Sequence, residues 1–347
     1  MARARVRAAD VAAAAQVSIS TVSLVVNGKW EGRVAADTVV RVRAEVARLG
    51  YVVDESARRL AIGGAGTVAM VAPAFTNPFY ARVSLGAAAA LGEAFQVVLS
   101  VPEVGDDLAS MLRRLRGTRL AGVLVAAPSH EMLGLLAPTL PTVVLDAPDA
   151  GAGRPRVDLD VAGGAAQLAR HLLDCGHRRV AFMDATPSTD TFRVRRAALA
   201  VGLAAGGADL VAVGGFESAV DVVAAHAVAT SVVDVVRRSG VTAIVCATDI
   251  HAYGVLRACA DTGISVPGDV SVAGFDDQPL SAYVTPALTT VSFPADDLGR
   301  IAGLLLADLI GCPDERSVGS PVRVLPVSLV IRSSTGQVRP PALMIGP

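Results

Sequence analysis

The sequence predicts two unlike parts, an all-α helix-turn-helix headpiece and behind it an α/β core of doubly wound parallel sheets. Three observations lead there. Apolar residues recur at helical spacing through the first fifty positions; from Thr67 short continuous apolar runs alternate with alanine-rich helical stretches; and 347 residues exceed one ordinary domain of about 100–200.

The headpiece elements follow in order. Asp10 to Gln16 has a short helical pattern, Val17-Ser18 makes a tight turn, and Ser18 is placed to cap a second helix from Ile19 to Asn27. Val22, Val25 and Val26 form its inward stripe, leaving Ile19, Ser20, Ser23, Leu24 and Asn27 on the other side as short groups able to approach a surface closely. Thr38 to Leu49 supplies a third helix through Val42, Val46 and Leu49, and Gly50 stops it. Periodicity alone fits a plain three-helix bundle as well as a DNA reader.

In the core the apolar runs are Val68–Ala72, Val97–Val101, Gly122–Ala126, Thr142–Leu145, Val180–Met183, Leu210–Val213, Ala243–Cys246 and Val270–Ala273. Runs of this kind separated by helices mark parallel sheets buried on both faces. Eight exceed one small sheet.

Composition narrows the function. Residues 1–64 carry ten Lys and Arg against six Asp and Glu, and the remainder 21 against 26, so a modestly basic end sits on an acidic body, as suits a polyanion-binding head. No apolar run approaches the roughly 20 residues of a membrane span, no export signal is convincing, and four scattered cysteines fit reduced thiols, which together predict a soluble cytoplasmic protein with no membrane partner. Enzyme signatures are missing. Gly63-Gly64-Ala65-Gly66 precedes a strand instead of following one, there is neither a phosphate-cradling loop ending in Gly-Lys-Ser/Thr nor a Gly-x-Ser-x-Gly elbow, and the five histidines have no metal spacing. No catalytic residue, metal or cofactor is expected.

The wording of the headpiece is more specific than its periodicity. Asp10-Val11-Ala12, Val17-Ser18-Ile19-Ser20-Thr21-Val22-Ser23, Val26-Asn27-Gly28 and Leu49-Gly50-Tyr51 together resemble the headpiece of the LacI/GalR family of bacterial transcriptional regulators. The resemblance implies that Ile19–Asn27 lies in the DNA major groove, with Ile19, Ser20 and Leu24 meeting base edges and Thr21, Ser23 and Asn27 holding phosphates. Many members have Arg where Leu24 stands; leucine offers only apolar contact, for instance to a thymine methyl. Arg7, the loop Lys29-Trp30-Glu31-Gly32 and Ala35 also depart from the usual pattern. Asp54 to Ala61 resembles the hinge helix, through which Ala57, Arg58 and the wedge Leu60 would enter the minor groove. A linker helix with one buried leucine is the bland alternative.

The resemblance spans nearly the whole chain and implies a periplasmic-binding-protein-like core of two lobes with an effector cleft between them. Asn77-Pro78-Phe79-Tyr80 resembles the loop after the first strand, placing Phe79 and Tyr80 near the cleft, either on the ligand or bracing the lobe. Arg193, in the pattern Thr-x-Arg-x-Arg, takes the effector-gripping place, with a surface salt bridge as its other reading. Thr248, Asp249 and Asp276 end later strands and offer polar groups to the cleft, unless either aspartate caps the following helix; Asp158 and Asp160 are weaker candidates. The expected boundaries are a headpiece at 1–53, a hinge and linker at 54–64, a core at 65–337 (lobe one about 65–163 and 293–322, lobe two about 164–292 and 323–337) and a tail at 338–347. The tail has no heptads, so a homodimer is expected rather than a coiled-coil tetramer. The resemblance thus implies a ligand-responsive regulator, in the main a repressor, that binds a palindromic double-stranded operator and senses a sugar-like or nucleoside-like molecule. The competing classes were an exported solute-binding protein, which has no use for residues 1–62, and an α/β enzyme.

Overall fold

The computed structural model describes residues 8–26, 30–49, 66–73, 77–101, 120–128, 134, 140–148, 153–311 and 321–338. The chain separates into two compact units, Met1–Ala65 and Gly66–Pro347.

In the first unit α1 (Ala8–Ala15), α2 (Ile19–Val26) and α3 (Ala36–Leu49) close on one small core. Val11, Ala12, Ala15, Val22, Val25, Val39 and Val42 are its buried members. The turn between α1 and α2 is set by Ser18, whose Oγ accepts the Thr21 N–H at 3.1 Å while its carbonyl accepts the Val22 N–H, satisfying two of the donors a helix start leaves free. Trp30 is half-buried against this core with the Arg43 guanidinium 5.7 Å from its ring centre, a packing worth about 0.5–1 kcal/mol near a surface.

In the second unit one sheet has the strand order β12-β5-β4-β3-β1-β2, with β1 (Thr67–Val71), β2 (Gln96–Ser100), β3 (Leu120–Ala126), β4 (Thr142–Leu145), β5 (Arg156–Leu159) and β12 (Val322–Leu325) all parallel. The other runs β13-β11-β10-β9-β6-β7, built from β6 (Arg179–Ala185), β7 (Asp209–Val211), β9 (Ala243–Cys246), β10 (Ser271–Asp276), β11 (Thr289–Ser292) and β13 (Ser328–Val330), with the two-residue β8 (Glu217–Ser218) beside β6. Only β13 runs antiparallel in this sheet. The third crossing between sheets therefore falls between Leu325 and Ser328, later than the sequence-based boundary at 322, because β12 pairs with β5.

Helices α4 (Pro78–Leu91) and α9 (Ala295–Gly311) pack on the first sheet's side, and α5 (Val161–Asp174), α6 (Asp190–Ala205), α7 (Val222–Arg238) and α8 (Asp249–Asp261) belong with the second. Helices α4 and α9 touch backbone to backbone. A Cβ on Gly299 would lie 1.9 Å from the Val83 carbonyl oxygen, and one on Gly86 2.1 Å from that of Asp296, so both positions require glycine.

Candidate functional site

The headpiece offers its α2 face. Ile19 is 56% exposed, Ser20 and Ser23 are exposed, and Thr21 and Leu24 are half-buried, whereas Val22 and Val25 turn inward. Helix α2 carries no charged side chain, so it presents hydroxyls, methyls and the Ile19 and Leu24 branches. Arg33, Arg41, Arg43 and Arg48 supply exposed positive charge from the loop and α3. Asn27, Ala57, Arg58 and Leu60 lie outside the described residues.

In the core the carboxyl ends of strands from both sheets converge on a buried polar cluster. Asn77 joins the two sides. Its Oδ1 caps α4 by accepting the Phe79 N–H at 3.0 Å and also accepts from the Gln278 amide at 2.9 Å, while its own amide donates to Asp276 Oδ2 at 3.0 Å. From the second lobe the buried Arg195 donates to Asp276 Oδ1 at 3.1 Å and to the Ala247 carbonyl. The Arg195 guanidinium carbon lies 5.2 Å from the ring centres of Phe192 and Phe275 and 4.7 Å from that of Phe293. Three ring faces stabilise a cation that burial would otherwise penalise.

Asp146, at the end of β4, faces the same arginine. Burial raises its carboxyl to about 6, and the Arg195 charge opposes the rise. Asp276 is also raised by burial, with Arg195 and Asn77 pulling back. Asp146 Oδ1, Thr189 Oγ1, Thr191 Oγ1, Arg195 Nε and Gln278 Oε1 are buried without a hydrogen-bond partner, and each such group costs about 1–3 kcal/mol unless something else pairs it. Ala127 (φ 42), Asp146 (φ 50) and Asp276 (φ 108) hold left-handed backbone at three of these strand ends, strain of the kind that gathers at binding sites.

The structure redistributes several expected roles. Arg193 is 63% exposed and paired with Asp190 one helical turn away, so it stands outside the cluster, and the arginine inside it is Arg195. Residues two apart on a helix point to nearly opposite sides, and the buried face of α6 runs Phe192, Arg195, Leu199, Leu203. Phe79 and Tyr80 are buried, their rings 5.4 Å apart and edge to face, and Phe79 meets Phe293 at 6.2 Å. Burial and the nearby Asp146 and Asp276 hold the Tyr80 phenol far above its usual range.

Thr248 caps α8, its Oγ1 accepting the His251 N–H at 3.3 Å. His251 is fully buried between Thr248 and the Ser218 carbonyl and its pKa is lowered to about 4 by burial. Asp249 is an internal node, accepting from Gln278 N–H, Ser281 Oγ and Thr290 Oγ1 at 2.9, 2.5 and 2.6 Å. It comes close because position 274 is glycine; a Cβ there would lie 2.4 Å from its Oδ1. Of the weaker candidates, Asp158 is buried against Arg156 and the Ala147 N–H, and Asp160 caps α5. Sequence reasoning missed Asp146, Arg195 and Gln278.

Residues 8–54 match the model described as bacterial regulatory proteins, lacI family, and residues 169–335 match a periplasmic binding protein-like domain. The transcriptional regulator CelR of Thermobifida fusca is 32% identical over 93% of this chain and 96% of its own length. Among solved structures, a transcriptional regulator CelR–cellobiose complex superposes with a TM-score of 0.66 at 28% identity, covering 95% of this chain and all of the other. A LacI family regulator from Enterococcus faecalis with bound ribose gives 0.68 at 25% identity, over 79% of this chain and all of the other. A headpiece, a core and a full-length relative thus agree: this chain belongs to the lacI family of bacterial regulatory proteins and is a ligand-responsive transcriptional regulator, not an enzyme.

Proposed function

We propose that this regulator is a cytoplasmic dimeric repressor whose α2 reads a palindromic operator while a sugar-like molecule between the lobes sets its DNA affinity. The carrying observation is the buried cluster around Arg195, where carboxylates, an arginine and unpartnered hydroxyl and amide atoms from both lobes meet. Such a mixture suits a neutral molecule rich in hydroxyls, each of which donates to a carboxylate and accepts from an arginine or amide. The CelR and Enterococcus faecalis structures, with cellobiose and ribose, support a sugar over a nucleoside.

Within this reading Arg195, Asp276, Asp146, Gln278, Asn77 and Tyr80 form the ligand cradle, and Thr248 and Asp249 hold it in shape. On the DNA side, Ile19, Ser20 and Leu24 meet base edges, Thr21, Ser23 and Asn27 hold phosphates, and Ala57, Arg58 and Leu60 enter the minor groove. Phe79 braces the first lobe. A dimer is supported by exposed apolar side chains on the second lobe. Val222 and Val223 start α7, Leu280 and Tyr283 lie in and beside the 3₁₀ turn Pro279–Ala282, and both segments pack against neighbouring positions of α8, Gly254 and Tyr253.

Thermal melts with cellobiose, ribose and other sugars test the cradle. A true effector raises Tm by mass action; Arg195→Lys, which loses the planar fork, abolishes the rise, and Arg193→Ala keeps it. Loss of the rise in Arg193→Ala alone would return the gripping role to Arg193.

A further inference from the structure

We propose that Gln167 and Pro326 make the third crossing between the lobes a one-residue pivot, so that movement there is a rotation and not a slide. The proposal deepens the reading that a ligand between the lobes sets their arrangement, and rests on it. On the first lobe's side the chain is held as far as Leu325. That residue pairs with Leu159 at the end of the β12–β5 ladder, and its carbonyl accepts the Asp160 N–H at 2.9 Å. On the second lobe's side the hold begins at Val327. The Gln167 amide donates to the Val327 carbonyl at 3.3 Å, and its Oε1 accepts the Leu329 N–H at 3.0 Å. The Val327 side chain fills the space that Gly164 leaves on α5; a Cβ there would lie 2.7 Å from Val327 and 2.6 Å from Val291 of β11.

Gln167 keeps the second hold this close to the first. Strand β13 is 3 residues long and pairs with β11 along one edge, so its ladder is short and its other edge needs a partner. Gln167, one helical turn beyond Gly164, supplies that partner with the donor and the acceptor of a single amide. It is a positioning residue, acting through the backbone it holds. Pro326 lies exposed between the two holds. Its ring fixes φ near about −65° and restricts Leu325 before it to extended backbone, which leaves the Pro326 ψ as the main free torsion. The other crossings are as tight, with Asp160 between β5 and α5 and Phe293-Pro294 between β11 and α9. Because the Asp160 N–H is bonded to Leu325, the first and third crossings turn together. Hinges absorb movement in a few torsions at element ends, whereas shear needs packed faces that slide. Val327 and Val291 seated against a glycine leave no room to slide.

Amide-resolved hydrogen exchange on the full-length protein, with no sugar added, tests the pivot, so its outcome stands apart from that of the sugar melts. Gln167→Leu keeps the bulk of the side chain and loses both hydrogen bonds. The Leu329 amide is then expected to exchange about tenfold faster and the Asp160 amide to quicken with it, while the amides of β10 keep their rates. Gln167→Glu, which still accepts the Leu329 N–H, keeps that amide protected. Pro326→Gly frees the pivot and leaves the clamp, so Asp160 exchanges about two- to fivefold faster and Leu329 stays protected. An unchanged Leu329 amide in Gln167→Leu overturns the clamp. Acceleration that spreads through β10 would make Gln167 a general support of the lobe and overturn the pivot, as would an Asp160 amide indifferent to Pro326→Gly.

Discussion

Asp146 and Asp249 are both buried carboxyls, yet their surroundings give them different uses. Asp146 has an unpartnered oxygen facing Arg195 and titrates near 6. Only its ionised form accepts two ligand hydroxyls, so effector affinity is expected to rise as pH climbs through about 6. Calorimetry from pH 5 to 8 should show that rise, and Asp146→Asn should flatten it at weaker overall affinity. Asp249 is instead held by three protein donors, and burial beside Asp276 raises it to about 8 from 3.8. A group that keeps its proton in the folded state and loses it in the unfolded state adds stability below about pH 4 that is shed as pH rises to about 8. Melting curves of Asp249→Asn should therefore slope less between pH 5 and 8 than those of the unaltered chain, whatever its absolute Tm. The Arg195–Asp276 pair is the costliest to break. Asp276→Ala leaves a buried cation with lost partners, worth about 3–5 kcal/mol in denaturant unfolding.

At the level of elements, the glycine seam between α4 and α9 fixes how the first lobe is closed. Gly299→Ala drives a methyl into the Val83 carbonyl, and a loss of about 1–3 kcal/mol in unfolding free energy is expected. On α2 the uncharged exposed face has a different consequence. If α2 reads the operator as proposed, Leu24→Arg shifts its preference toward guanine, readable by gel shift against an operator panel, at a change of about 1–3 kcal/mol between bases. These elements also show what the sequence made legible. Strands buried on both faces announce themselves as unbroken apolar runs, and all eight such runs are strands. Arg156–Leu159, Thr289–Ser292 and Val322–Leu325 mix polar residues into four-residue strands, too short for a period to register. The buried arginine was passed over for a similar reason. A motif with two arginines two apart leaves the choice open, although the stripe Phe192, Leu199, Leu203 passes through 195 and not 193. Asp146 gave only one faint sign, an acid closing an apolar strand, and its partners come from sequence positions far away.

For the whole molecule, residues of both lobes are joined by side chains rather than by sheet hydrogen bonds. Asn77 links Asp276 and Gln278, while rings run from Tyr80 through Phe79 to Phe293 and Phe275, where Arg195 sits. A ligand that engages Arg195 and Asp146 together, as proposed, favours one arrangement of the lobes by its difference in affinity for the two states and by no more than that. An effector that shifts operator affinity tenfold must therefore bind one DNA-affinity state about tenfold better than the other, and titrations with and without operator should return the same factor. The headpiece sequence was recognisable almost word for word, whereas the cradle was only partly so, since short-range contacts build the first and chain segments up to two hundred residues apart build the second.

The packing of Trp30 has a practical side. It is the chain's single tryptophan, seated on the headpiece core beneath Arg43, so indole emission is a private optical channel from the DNA-reading unit. Light absorbed by tyrosines in the core can be filtered out by choice of excitation wavelength. Any colour shift that a sugar then produces is news that has travelled from the core to the headpiece.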